Sequence, residues 1–105
     1  MTTLQDTDRS DPSRAQATAA QAAQLLQLGI AAAGRGAADE AIACMRKAVA
    51  LRPQFAAAQA NLGLLLIAVR RYAEAEAPLH TALSFMPGDA ALRNALGVAQ
   101  ENLQR

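Results

Sequence analysis

This sequence has little from which to build a site for chemistry. A single cysteine, Cys44, stands among 105 residues, so no internal disulfide can form. It falls at an interior helical position, where it reads as a small core hydrophobe. A nucleophilic thiol needs a histidine or a cationic neighbourhood, and the one histidine, His80, lies in a different predicted helix. There is no phosphate-binding glycine loop, no cluster spaced to ligate a metal and no Ser–His–Asp set. Neither a catalytic residue nor a cofactor is expected. Tryptophan is absent, and the aromatics are Phe55, Tyr72 and Phe85. Charge is close to balanced, with ten basic and nine acidic residues, which argues against a nucleic-acid surface. Arg70 and Arg71, with Arg46, Lys47 and Arg52, have no interleaved aromatics and read as a solvated edge. The longest apolar run, around Leu64 to Val69, is far short of the roughly 18–20 residues that span a bilayer. The opening stretch MTTLQDTDRSDPSR has no apolar segment of the secretory kind. The expectation is a soluble, cytoplasmic, non-catalytic chain.

Alanine, leucine and glutamine are plentiful instead, and the apolar fraction is 52%. An alanine-rich, aromatic-poor core suits helices packed close together. Residues 1–11 lack a hydrophobic period and read as a disordered tail. Ser10 or Asp11 can cap a first helix, with Pro12 in its opening turn. That helix runs to Ala33, carries Leu25, Leu28 and Ala32 as its expected buried stripe, and ends at Gly34-Arg35-Gly36. A second, about Ala37 to Leu51, has Asp39 and Glu40 in its first turn, a stripe of Ala41, Met45, Ala48 and Leu51, and a stop at Pro53. The third, about Phe55 to Val69, is apolar nearly all round from Leu62 onward and so must be covered on more than one side. A fourth, about Tyr72 to Met86, contains Pro78, which predicts a kink or a delayed start. After Pro87-Gly88-Asp89 a fifth runs about Ala90 to Gln104, with Leu92, Leu96, Ala99 and Leu103 on one face.

Self-comparison at an offset of 34 residues decides how these helices are arranged. Ala22-Ala23 matches Ala56-Ala57 and Ala90-Ala91, and Leu28-Gly29 matches Leu62-Gly63 and Leu96-Gly97. Glu40-Ala41 matches Glu74-Ala75, Ala48 matches Ala82, and Pro53 matches Pro87. Ile30, Leu64 and Val98 are conservative partners between them. Gly29 and Gly63 let a facing helix approach, while Ala41, Ala48, Ala75 and Ala82 are small at matching contacts. A pair of such helices cannot bury its stripe alone, so stacked neighbours supply the core.

At these residues the chain resembles the tetratricopeptide repeat family, whose 34-residue helix–turn–helix unit has a Leu-Gly pair in its first helix, small residues in its second and a closing Pro. The resemblance implies an all-α, right-handed superhelix of five helices. Units 22–55 and 56–89 would be followed by a capping helix, 90–104, all within a domain of residues 12–105. The usual aromatics are missing at Ala32, Leu66 and Ala38, and one is kept at Tyr72. Gln100, Glu101 and Asn102 read as a solvating end; the competing reading is the first half of a third unit of a longer chain.

First helices of this family line a concave groove that binds peptides or helices. Carried over by repeat position, the groove-side residues are Ala23, Leu26, Ile30 and Ala33, then Ala57, Ala60, Asn61, Leu64 and Ile67, then Asn94, Val98 and Glu101. The cationic clamp that some members use for a C-terminal carboxylate is not matched: Leu26, Ile30, Asn61, Ala91 and Ala95 stand at its positions, and only Asn61 fits. The implied function is a scaffold or adaptor whose partner is another protein, offering an apolar peptide or an amphipathic helix. The alternatives are a self-association module forming a homodimer, and the repeat portion of a larger enzyme or assembly. Packing of the same apolar side chains against neighbouring helices competes with both.

Overall fold

The computed structural model describes residues 12–104. They contain five helices: α1 (Pro12–Gly34), α2 (Ala38–Leu51), α3 (Ala56–Ala68), α4 (Tyr72–Phe85) and α5 (Ala90–Leu103). No strand occurs among the described residues. The fold is an all-α helical repeat. The expected tail and the caps at Ser10 and Asp11 lie outside the described residues.

The 34-residue repeat is written into the backbone hydrogen bonds as well as into the side chains. α1 and α3 close in the same way. The Ala37 N–H donates to the Ala32 carbonyl at 2.9 Å, and the Arg71 N–H to the Leu66 carbonyl at 2.8 Å. Each closure needs one left-handed residue. Gly36 supplies it at φ 79° in the first case, and Arg70 at φ 64° in the second. The turns after α2 and α4 also correspond. Arg52 donates to Ala48 and Phe55 to Arg52, as Met86 donates to Ala82 and Asp89 to Met86. Asp89 adds a side-chain cap, its Oδ1 accepting from the Leu92 N–H at 3.1 Å.

Small residues set the distance between helices. A Cβ placed on Gly63 would lie 2.5 Å from Leu79 Cδ2 and 2.7 Å from its Cγ. One on Gly29 would lie 2.7 Å from Met45 Cε. These two glycines hold matching positions on α1 and α3 and let α2 and α4 come close. Ala41, Ala48, Ala75 and Ala82 are fully buried at those crossings, as expected of them. Met45, Leu62, Leu66, Leu79 and Leu92 are the largest fully buried side chains. α3 packs against α2, α4 and α5, which is why it tolerates an apolar surface on nearly every side.

The stripes read from periodicity need correction at their ends. α1 buries Ala22, Leu26 and Ala32 together with Gly29; Leu25 is half-buried and Leu28 is exposed. α2 buries Ile42 beside Ala41, Met45 and Ala48, while Leu51 is exposed. α5 buries Leu92, Ala95 and Ala99 and leaves Leu103 exposed. Leu51 and Leu103 are the last residues of their helices and are exposed. The delayed start expected of α4 does not occur. It begins at Tyr72 and continues through a buried Pro78 as a single helix.

Candidate protein-binding surface

Ile30, Leu64 and Val98 occupy one repeat position on α1, α3 and α5. Their exposures are 44%, 37% and 40%. Side chains used only for packing would be covered at least in the middle of the stack. Leu64 instead stays open although its helix is packed on three others. α3 and α5 touch directly, so the helices carrying Leu64 and Val98 adjoin.

The other groove-side residues divide by environment. Ala57, Asn94 and Glu101 are exposed, and Ala60, Asn61 and Ile67 are half-buried. Ala23 and Ala33 are exposed. Leu26 is 9% exposed and belongs to the core cluster with Ile42, Met45 and Leu62, because the second half of α1 lies against α2. Ile67 and Ala60 pack against the edge of that cluster. The Asn61 amide donates to the Ala57 carbonyl one turn back at 2.8 Å, so its donor is engaged by its own helix. Apart from Glu101, the row is uncharged.

Charge is concentrated elsewhere. Glu74 opens α4 and draws in two arginines. Its Oε1 accepts from Arg46 Nη2 and Arg71 Nη2, each at 2.7 Å, and its Oε2 from Arg71 Nε at 2.7 Å. The Arg71 hydrogen bond, aided by the charges of Arg71 and Arg46, holds the Glu74 carboxyl below its ordinary range; desolvation opposes the shift. The same hydrogen bond raises Arg71. Arg46 belongs to α2, so this pair ties one helical hairpin to the next. Among the described residues Glu40, at the matching position, accepts only from Arg35, at 2.8 Å. Arg52 lies over the Phe55 ring, 4.9 Å from its centroid. The arginines that form a basic run in the sequence are thus partly neutralised or stacked.

Sequence reasoning missed a second apolar feature. A cleft of about 530 Å³ lies between α1 and α2, lined by Gln21, Gln24, Leu25, Leu28, Lys47, Ala50 and Leu51. The signal was present in the repeat itself: Leu28 matches Leu62, and among the described residues a hairpin precedes Leu62 and none precedes Leu28. Among the described residues no group of His, Cys, Asp and Glu is arranged to hold a metal. His80 is exposed and Cys44 is a half-buried free thiol. No helix of the described residues is long and apolar enough to cross a membrane.

Comparison with known families matches residues 32–99 to the tetratricopeptide repeat. Comparison with curated proteins finds no match. The matched span covers the Gly63-mediated crossing, both closing prolines and the positions of Leu64 and Val98, and the chain belongs to the tetratricopeptide repeat family.

Proposed function

We propose that this chain is a non-catalytic scaffold or adaptor that holds an apolar peptide, or the apolar face of a helix, against the row Ile30, Leu64 and Val98. The family's general role as a protein–protein interaction module supports the class of function. One observation carries the finer reading: an exposed aliphatic side chain returns at the same position of all three first helices. Large aliphatic groups held in water cost free energy that an apolar partner recovers, at roughly 25 cal/mol per Å² buried. The lack of cations in the row disfavours a carboxylate-terminated ligand and favours an uncharged or amphipathic one.

The test is affinity capture from the native cell with the full chain as bait, compared with Leu64→Lys/Val98→Lys. Both positions are exposed, so the variant should keep its helical circular dichroism. Loss of the captured partner with helicity intact supports the reading. Equal capture by both baits refutes it. Homodimerisation is the rival use of the same row. Light scattering across a concentration series would reveal it as a doubled mass that the same variant abolishes.

A further inference from the structure

Among the described residues the two ends of the stack differ in what they leave open. On α5 the buried residues Leu92, Ala95 and Ala99, with the half-buried Leu96, define the side that meets the preceding helices, since α5 packs on α4 and α3. Moved back by two repeats, that side of α1 is Gln24, Gln27, Leu28 and Ala31, and all four are exposed. Leu28 is 57% exposed where its repeat partner Leu62 is 2%. The cleft bordered by Leu25, Leu28 and Leu51 is therefore the place where the second helix of a preceding hairpin would lie.

The molecule shows, one repeat further on, what such a helix carries. α2 precedes α3 and sends Arg46 across to Glu74. Glu40 is the match of Glu74, and its Oε2 is engaged by Arg35 while its Oε1 has no partner among the described residues. The open face thus combines exposed leucines with an acidic residue that has lost the arginine its counterpart receives. The chain does not provide the missing helix through the usual connection. The turn residues Arg52 to Phe55 match residues 18–21, and those are helical within α1. In a second copy α2 and α4, the helices of the matching kind, are each already covered by the helix that follows.

We propose that the α1–α2 end face is a docking site for an amphipathic helix of a partner protein, of the α2 kind. That helix lays an apolar stripe over Leu25, Leu28 and Leu51 and presents an arginine to Glu40. Gln24 and Gln27 stand where buried or half-buried residues occur in the later repeats, so the face tolerates water and the docking is reversible.

A synthetic peptide of residues 37–55, with Cys44→Ala to prevent crosslinking, serves as the probe against the full chain. Amide NMR should show saturable shifts centred on Gln24 to Ala31 and Ala50 to Leu51. Leu28→Lys should weaken binding at least tenfold without loss of helicity, since Leu28 is exposed. Glu40→Gln should weaken it about threefold and flatten its salt dependence, and Arg46→Gln in the peptide should add nothing further. Shifts centred on Leu64 and Val98, or binding unchanged by Leu28→Lys, would overturn the assignment. So would absence of saturable binding at millimolar peptide. Self-association of the chain alone that Leu28→Lys abolishes would make a second copy the occupant and overturn the partner helix.

Discussion

The first helical hairpin and the second have nearly the same sequence register and different environments. α3 and α4 are covered on both sides, by α2 before and α5 after. α1 and α2 are covered by described residues on one side only. Leu62 is consequently a core residue, while Leu28, at the same repeat position, faces solvent. Where α3 places Leu66 as a fully buried side chain, α1 has Ala32, so the first hairpin also buries less within itself. The difference teaches that in a stacked repeat a residue's burial belongs to its neighbours as much as to its own unit.

The sharpest way to break this comparison is to truncate its two leucines. Leu62→Ala should destabilise the chain by about 2–5 kcal/mol, the range for deleting a buried aliphatic side chain. Leu28→Ala should change stability by no more than about 0.5 kcal/mol, as surface substitutions do. Urea unfolding followed by circular dichroism compares them directly, and equal costs would mean that Leu28 is buried in solution.

The glycines grade the same contrast. Gly63→Ala forces a Cβ against Leu79, a buried side chain with a backbone nitrogen just behind it at 3.4 Å; overpacking of this kind costs about 1–3 kcal/mol. Gly29→Ala meets chiefly the flexible end of Met45, with Ala41 O and Cys44 Cβ at 3.3 Å, so its cost should be smaller. Gly97→Ala meets nothing within 4 Å, and within α5 it should stabilise by about 0.5–1 kcal/mol through helix propensity. Melting temperatures of the three variants should fall in that order, lowest for Gly63→Ala.

The two left-handed closures give a smaller, opposed pair of effects. Arg70→Gly should stabilise by up to about 1 kcal/mol, since a side chain at φ 64° is strained and glycine is not. Gly36→Ala should destabilise by about the same amount for the converse reason. Thermal unfolding of both variants reads the sign, and a destabilising Arg70→Gly would show that the arginine side chain contributes more than its backbone costs.

The smallest effect concerns the link between hairpins. Because Glu74 is held below its ordinary range, its pairing stabilises fully above the unfolded value, about 4.3 for Glu. That contribution is lost as pH falls through the lowered folded value. Glu74→Gln should therefore be less stable than the parent chain at neutral pH and equal to it in acid. Urea midpoints measured across that range would show the two curves converging, and raised salt should shrink the gap because the pair is exposed.

Much of this architecture was legible from residues alone. Gly29 and Gly63, the matched alanines, Pro53 and Pro87 mark where helices cross and where they stop, through steric rules that act within one or two turns. Burial at the stripe ends was not legible. Leu51 and Leu103 have the helical spacing of core residues and are exposed, because periodicity reports which face a residue occupies and not whether another helix lies over it. Leu26 sat on the groove side by repeat position and lies in the core, since α2 covers the start of the repeat on α1.

The sequence by itself determined the helices, their 34-residue spacing and the family, because capping, glycine and proline rules and the repeat are local and survive without a partner. Only the tertiary structure decided which equivalent leucine is core and which is surface. It also decided that Glu74 joins two hairpins where Glu40 joins none. Both outcomes depend on whether another helix lies alongside, and that is a property of position in the stack rather than of the residue.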